Sequence, residues 1–369
     1  MRLEDVKFDC RFFRGHIPCA PNKEHGVDCE DCGYYIAIEK RILIIGLGAI
    51  GDVIRTTPLL KLYRKRYPNA KFTWLTLFPD VLPKDKVDEI LKLDEINLLK
   101  LQDREFDIAI NLDKEEEACL LLSKVHSKHK FGFSWKNGHL TAATPAAEHK
   151  ILTGLFDHLS QQNQKSYLEE IFEICHEKFQ AQDYLIRLNE NLKIKWQDKL
   201  KLLSDGKPIV GLNTGCGPRW KTRLWPNEYW GDLIKKLQSE GMFCMVLGGP
   251  AEDEKNTFFQ NEYGAYYPGH FSLEEFIALS SCCELIITQV SLMMHVATAV
   301  KSKLLLMNNI FNKHEFEMYG RGEIIEPESG CDCFYGTSCS REKRCMYDLS
   351  VSTVFEKSKK LLQAEKPTI

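Results

Sequence analysis

The stretch Arg41–Asp52, RILIIGLGAIGD, constrains the fold of this 369-residue chain more than any other segment. The apolar run Ile42 to Ile45 reads as a buried strand, and the glycines after it turn the chain directly into a helix. That helix carries Val53, Ile54, Leu59, Leu60, Leu62 and Tyr63 and should stop near Pro68-Asn69, with Pro58 imposing a kink or a short first turn. A strand that enters a helix through a glycine turn is the opening of a parallel, doubly wound sheet. Strands at 71–78 and 106–112 continue it. The alternation restarts after residue 205, with strands at 207–215, 242–250, 284–290 and 303–309 and helices at 227–241, 272–282 and 294–300. Two α/β units are therefore expected, joined within the charged stretch 160–205.

The expected divisions are a Cys-rich head over 1–38, a Rossmann-like domain over 39–195, a second over 196–330, and a Cys-containing tail with a helix over 331–369. The length suits two domains of ~150 residues. With 49 basic and 52 acidic residues, net charge −3, the chain has no basic field for nucleic acid. Hydrophobic residues at 44% and charged residues at 27% exclude global disorder. No apolar run reaches the ~18 residues of a membrane span, and the start MRLEDVKFDC has no apolar leader, so a cytoplasmic location is expected.

Fourteen cysteines are unusual for such a chain. In a reducing compartment, clustered cysteines read first as metal ligands. Cys10-x8-Cys19-x9-Cys29-x2-Cys32 supplies four thiolates in a head poor in apolar residues, where a metal would contribute folding energy. Cys331-x-Cys333-x5-Cys339-x5-Cys345 is a second, less regular set. Zinc, or iron held by thiolates, is the expected occupant, and free reduced thiols are the alternative. No spacing suggests a catalytic cysteine.

Gly46-Leu-Gly48-Ala-Ile-Gly51 fits G-x-G-x-x-G between a strand and a helix, which motivates one candidate activity, an NAD(P)-dependent oxidoreductase. That fold needs an acid at the end of the second strand to bind the ribose. Here the strand ends Leu75-Thr76-Leu77-Phe78, and Asp80 lies beyond Pro79.

The residues after the loop point elsewhere. Gly51-Asp-Val-Ile-Arg-Thr-Thr-Pro-Leu-Leu60 resembles the opening motif of glycosyltransferase family 9, the ADP-heptose:lipopolysaccharide heptosyltransferases. The resemblance continues through Asn111–Glu115, Gly211–Pro226, Leu247–Glu252, Met294–Ala297 and the late Cys345-Met346, in order along residues 41 to 360. It implies a GT-B fold, two Rossmann-like domains facing a cleft, with the donor in the C-terminal domain and the acceptor against the N-terminal one. It also implies inverting transfer of a heptose-like sugar from an ADP-linked donor to a hydroxyl of lipopolysaccharide or another surface glycan. No catalytic metal and no nucleic-acid partner are expected, while peripheral contact with the inner face of the membrane is, because such acceptors are often lipid-linked.

By that resemblance, Asp52 is the general base, placed at a helix N-terminus where the dipole favours a carboxylate; its structural alternative is an N-cap. Arg223, two before Trp225-Pro226, would contact the donor phosphates with bidentate geometry, and Lys221 would assist. Thr214 and Gly215 match the loop whose backbone approaches the diphosphate, and Glu252 the acid for the ribose hydroxyls. Ser291 and His295 match the turn and helix start beside the diphosphate. Two positions depart from the family pattern of Asp-Ser/Thr-Gly: Val290 stands for the acid and Leu292 for the glycine. They motivate a third candidate, a binding protein with a degenerate donor site on the same fold.

Overall fold

The computed structural model describes residues 1–364. Two compact units divide the chain. The first joins Met1–Gly48, Thr57–Ile151 and Ile171–Lys178; the second joins Ala49–Thr56, Leu152–Glu170 and the described residues from Phe179. The helix Ile50–Thr56 thus groups with the later residues, although it follows the first strand in sequence.

The first unit is built on strands β1 (Arg41–Gly46), β2 (Lys71–Thr76), β3 (Glu89–Lys92), β4 (Glu105–Asn111), β5 (His126–Lys136) and β6 (His139–Ala142), in the order β3-β2-β1-β4-β5-β6. All pairings are parallel except β5–β6. Ile42 to Ile45 are buried on both faces, as an apolar run with no polar alternation requires. Leu43, Ile45, Leu75 and Ala109 form one core with Leu101 and Leu122 from the helices Glu95–Asp103 and Glu116–Lys124. Pro58 breaks the expected helix in two, Ile50–Thr56 and Pro58–Arg66, since its ring cannot follow a helical turn without displacing the carbonyl before it. Gly132 has φ +98°, and a Cβ there would lie 1.7 Å from the Asn111 carbonyl oxygen, so only glycine lets β5 pass β4 at this point. The Cys-rich head is tied to this sheet by Arg11, which pairs with Asp88 at 3.0 Å and donates to the Pro68 carbonyl.

The second unit holds an all-parallel sheet of β7 (Ile209–Asn213), β8 (Phe243–Leu247), β9 (Leu285–Gln289), β10 (Lys303–Met307) and β11 (Gly322–Ile325), ordered β11-β10-β9-β7-β8. Val210, Leu212, Val246, Ile287 and Leu305 pack against Trp230, Leu233 and Leu237 of the helix Asn227–Ser239 and Val354 of the helix Val351–Gln363. In each sheet the strand order reverses beside its first strand, between β1 and β4 and between β7 and β9. Ligands of open α/β sheets bind outside the carboxyl ends of the strands at such a switch point. Among the described residues no helix is long and apolar enough to cross a membrane.

Candidate active site

The first switch point is closed by the protein itself. Asp113, just past β4, places Oδ2 at 2.5 Å from the Leu47 amide and 2.9 Å from that of Gly48. Asn111 holds the same turn, donating to the Asp113 carbonyl and accepting from the Asp113 amide. Two of the backbone N–H groups that a dinucleotide pyrophosphate would use therefore already have a carboxylate. Gly46 and Gly51 serve close packing instead: an added Cβ would stand 3.0 Å from Trp74 Nε1 at the first and 2.5 Å from His295 Cδ2 at the second.

The second switch point is open. A cavity of about 350 Å³ lies between the loops after β7, β8 and β9, lined by Gly215, Cys216, Gly217, Arg223, Gly248 and Gly249. Glu252, Ser291 and Leu292 also face it, and Phe271, Leu273 and Phe276 form an apolar wall. Glu252 accepts from the Gly249 amide at 3.0 Å, and its carboxylate lies so close to Gly215 that a Cβ there would meet Oε1 at 2.2 Å. Ser291 caps the helix Leu292–Ala299 by accepting from the Met293 amide, and its hydroxyl contacts Thr288 Oγ1 and Asn213 Nδ2.

Arg223 is the most informative residue here. It ends the short turn Lys221–Arg223, is only 7% exposed, and donates through Nη2 to the Cys216 carbonyl. Its Nε has no partner among the described residues, and its guanidinium carbon sits 5.5 Å from the Trp220 and Phe311 ring centroids. A buried cationic donor left unsatisfied costs on the order of 1–3 kcal/mol or more, so its place on the cavity wall points to an anion.

Other expected donor residues lie outside the lining. Thr214 is fully buried, donating to Asn256 Oδ1 and accepting from Lys255 Nζ at 2.8 Å, and Lys221 faces solvent. Burial lowers the pKa of Lys255, with Glu252 opposing. His295 packs on Gly51 and stacks on Tyr184 at 6.1 Å between centroids. Burial, reinforced by Arg55 and opposed by Asp52, pushes its pKa down to about 3, so it is a neutral imidazole near pH 7. Asp52 lies in the first turn of its helix and pairs with Arg55 Nη2 at 2.6 Å, one helical turn on. Arg55 in turn stacks on the Tyr167 ring at 3.5 Å. The residues that the sequence did not single out are Arg55, Asn213, Asn256 and the Phe271–Phe276 wall; only Arg55, at i+3 from Asp52, carried a local signal.

The two cysteine clusters are not assembled into metal sites. Among the described residues no three of His, Cys, Asp and Glu are placed to hold one metal ion. In the tail, the thiols are satisfied locally: Cys331 hydrogen-bonds Cys345, Cys333 hydrogen-bonds Cys339, and Asn309 Nδ2 approaches Cys345 Sγ at 3.4 Å. The bond from Cys331 pulls the Cys345 thiol down to about 6, burial opposing. In the head, Cys10, Cys19, Cys29 and Cys32 all line one cavity of about 220 Å³, but without ligating geometry. The tail also braces the basic loop: Trp220 Nε1 donates to the Tyr335 carbonyl, Thr222 Oγ1 to that of Gly336, and Arg344 to that of Lys221.

Two Rossmann-like sheets, the second with an open glycine- and arginine-lined pocket at its switch point, are the architecture of GT-B glycosyltransferases. Residues 98–318 match the model of glycosyltransferase family 9 (heptosyltransferase), more than half of the chain. The chain belongs to that family. It is similar to lipopolysaccharide heptosyltransferase 2 of Salmonella typhimurium, 23% identical over 293 residues that cover 72% of this chain and 82% of the relative. Among solved structures, it resembles a family 9 glycosyltransferase from Veillonella parvula at TM-score 0.67 and 19% identity, over 88% of this chain and 97% of that one. The ADP-heptose lipopolysaccharide heptosyltransferase II of Escherichia coli gives TM-score 0.64 and 20% identity, over 87% and 98%.

Proposed function

We propose that the chain transfers a heptose-like sugar from an ADP-linked donor to a hydroxyl of lipopolysaccharide or another surface glycan, inverting the anomeric centre. The observation that carries this is Arg223, buried on the wall of the second cavity with Nε unpaired. In the step, Asp52 takes the acceptor hydroxyl proton, the hydroxyl oxygen bonds to the anomeric carbon, and the bond from that carbon to the diphosphate oxygen breaks. Arg223 balances the charge that develops on the departing diphosphate. Glu252 accepts from the ribose hydroxyls, and the Phe271–Phe276 wall covers the base. Lys221, Thr214, Gly215, Ser291 and the neutral His295 support the loops around the diphosphate. No catalytic metal enters the step. A cytoplasmic enzyme touching the inner membrane face peripherally would meet a lipid-linked acceptor.

A degenerate binding protein is the second reading, favoured by Leu292, whose side chain lines the cavity where the family pattern has glycine. Incubation with ADP-heptose and lipopolysaccharide acceptor separates the two. Product formed by the wild type and lost in Asp52→Asn supports the transferase. A folded wild type that binds ADP yet turns over no nucleotide sugar refutes it.

The head supports one further element, a structural zinc or iron on Cys10, Cys19, Cys29 and Cys32. The donor set suits tetrahedral thiolate ligation, and all four line one cavity, so binding would draw the thiols inward. Elemental analysis of purified protein should find about one equivalent of metal, reduced in Cys32→Ser together with melting temperature. Metal-free protein with unchanged melting rules it out.

A further inference from the structure

One cavity of the first unit lies at the other end of its sheet from the switch point. It measures about 950 Å³ and opens where β1, β2 and β4 begin, at Arg41, Lys71 and Glu105. Nucleotide chemistry on such a sheet belongs at the carboxyl ends of the strands, so this cavity stands outside the site described above. Its floor follows from register. Arg41 pairs with Lys71 in the parallel ladder, and residues so paired project to the same face. Thr73, two residues along, and its partner Glu89 share that face. The head covers it, contributing Phe8, Phe13 and Arg14 among others.

The charges do not balance. Arg11 is paired with Asp88, and Arg104 with Glu89. Arg14, Arg41 and Lys71 have no carboxylate partner among the described residues, and only Glu105 among the lining acids stands outside these two pairs. Burial lowers the Lys71 ammonium below its ordinary range, with Glu89 opposing and Arg41 and Arg104 adding to the fall. Crowding cations this way in a chain of net charge −3 is unfavourable unless an anion joins them. The apolar side chains on the same walls, Phe8, Phe13 and Phe106, would suit neither bare solvent nor a bare ion.

We infer that this cavity is a second small-molecule site, for a ligand that joins a phosphate group to an apolar body. The phosphate lies among Arg14, Arg41 and Lys71, and the body against Phe8, Phe13 and Phe106. Its volume is in the range of cavities that enclose ligands of a few hundred daltons.

Calorimetric titration of the full chain tests this with two soluble probes, phenyl phosphate and inorganic phosphate. Phenyl phosphate should bind more tightly than inorganic phosphate. Arg41→Gln and Lys71→Gln should each weaken it about tenfold, and Arg223→Gln should leave it unchanged. Arg14, exposed on the head, gives a third variant, Arg14→Gln, that cannot act through folding of the sheet. A parallel arm measures retention on vesicles of phosphatidylglycerol in phosphatidylcholine. Retention lost in the same three variants, without binding of the soluble probes, assigns the phosphate to a lipid headgroup. The inference fails if neither probe binds at about ten millimolar and vesicles retain nothing. It fails equally if binding is indifferent to Arg14, Arg41 and Lys71, or is lost in Arg223→Gln.

Discussion

The two switch points of this molecule begin alike and end differently. After β1 the chain makes a glycine turn, and after β7 it makes another, each at the reversal of strand order. At the first, the Asp113 carboxylate accepts from the Leu47 and Gly48 amides. At the second, no carboxylate among the described residues occupies the loop in that way: Glu252 turns to the Gly249 amide and Gly215, and Arg223 reaches the cavity with an unpaired donor. A glycine fingerprint therefore reports a tight turn, while the neighbouring strand's first polar residue decides whether the turn binds a ligand. The first unit has spent its loop on stability and the second has kept its loop for binding.

Several changes would break or sharpen that contrast. The largest effect should come from Asp52→Asn, which keeps the helix start but removes the base: turnover should fall about a thousandfold with melting nearly unchanged. A variant that retained activity would remove Asp52 from the chemistry and leave it as a partner for Arg55. Asp113→Ala should cost about 1–3 kcal/mol in urea unfolding, because two loop amides lose their acceptor. Unchanged stability would break the contrast. New binding of NAD in that variant would sharpen it, by showing that one carboxylate is all that closes the loop.

His295 supplies a test by pH. Its folded pKa, near 3, lies below the unfolded value of about 6.5, so its burial contributes stability that is complete above pH 6.5 and lost as pH falls. Between pH 7 and pH 5 the wild type should lose about 2 kcal/mol more than His295→Gln. Equal losses would mean that the imidazole reaches solvent. The smallest effect belongs to the tail. Cys345→Ser should weaken ADP binding about threefold, a shift of ~0.7 kcal/mol, because the tail braces the Trp220–Arg223 loop. Cys32→Ser in the head should leave ADP affinity alone in the protein that folds.

Much of the fold was legible because the central strands are short apolar runs buried on both faces, as at Ile42–Ile45 and Leu285–Ile287. The strands β3, β5, β6 and β11 were not. β5 exposes His126, Lys128 and His129 and buries only the adjacent Gly132 and Phe133, with no alternation to mark a strand, and β6 is an edge whose pairing depends on Gly132 and the turn at Asn137-Gly138. In the site, Arg223, Glu252 and Gly215 were readable from dispersed motifs, and they do meet on one cavity. What stayed hidden depends on contacts between distant segments. Asp113 was visible as part of a motif, but its grip on Leu47 and Gly48 needs β1 and β4 to be neighbours. The bond from Trp220 to Tyr335 spans 115 residues, and no local pattern announces it.

Titration with ADP and with NAD tests most directly whether the second switch point, and not the first, holds the nucleotide. ADP should bind the wild type and raise its melting temperature, Arg223→Gln should weaken that binding about a hundredfold, and NAD should leave the melt unmoved. Stabilisation by NAD without ADP, or ADP affinity equal in the wild type and Arg223→Gln, would contradict the account.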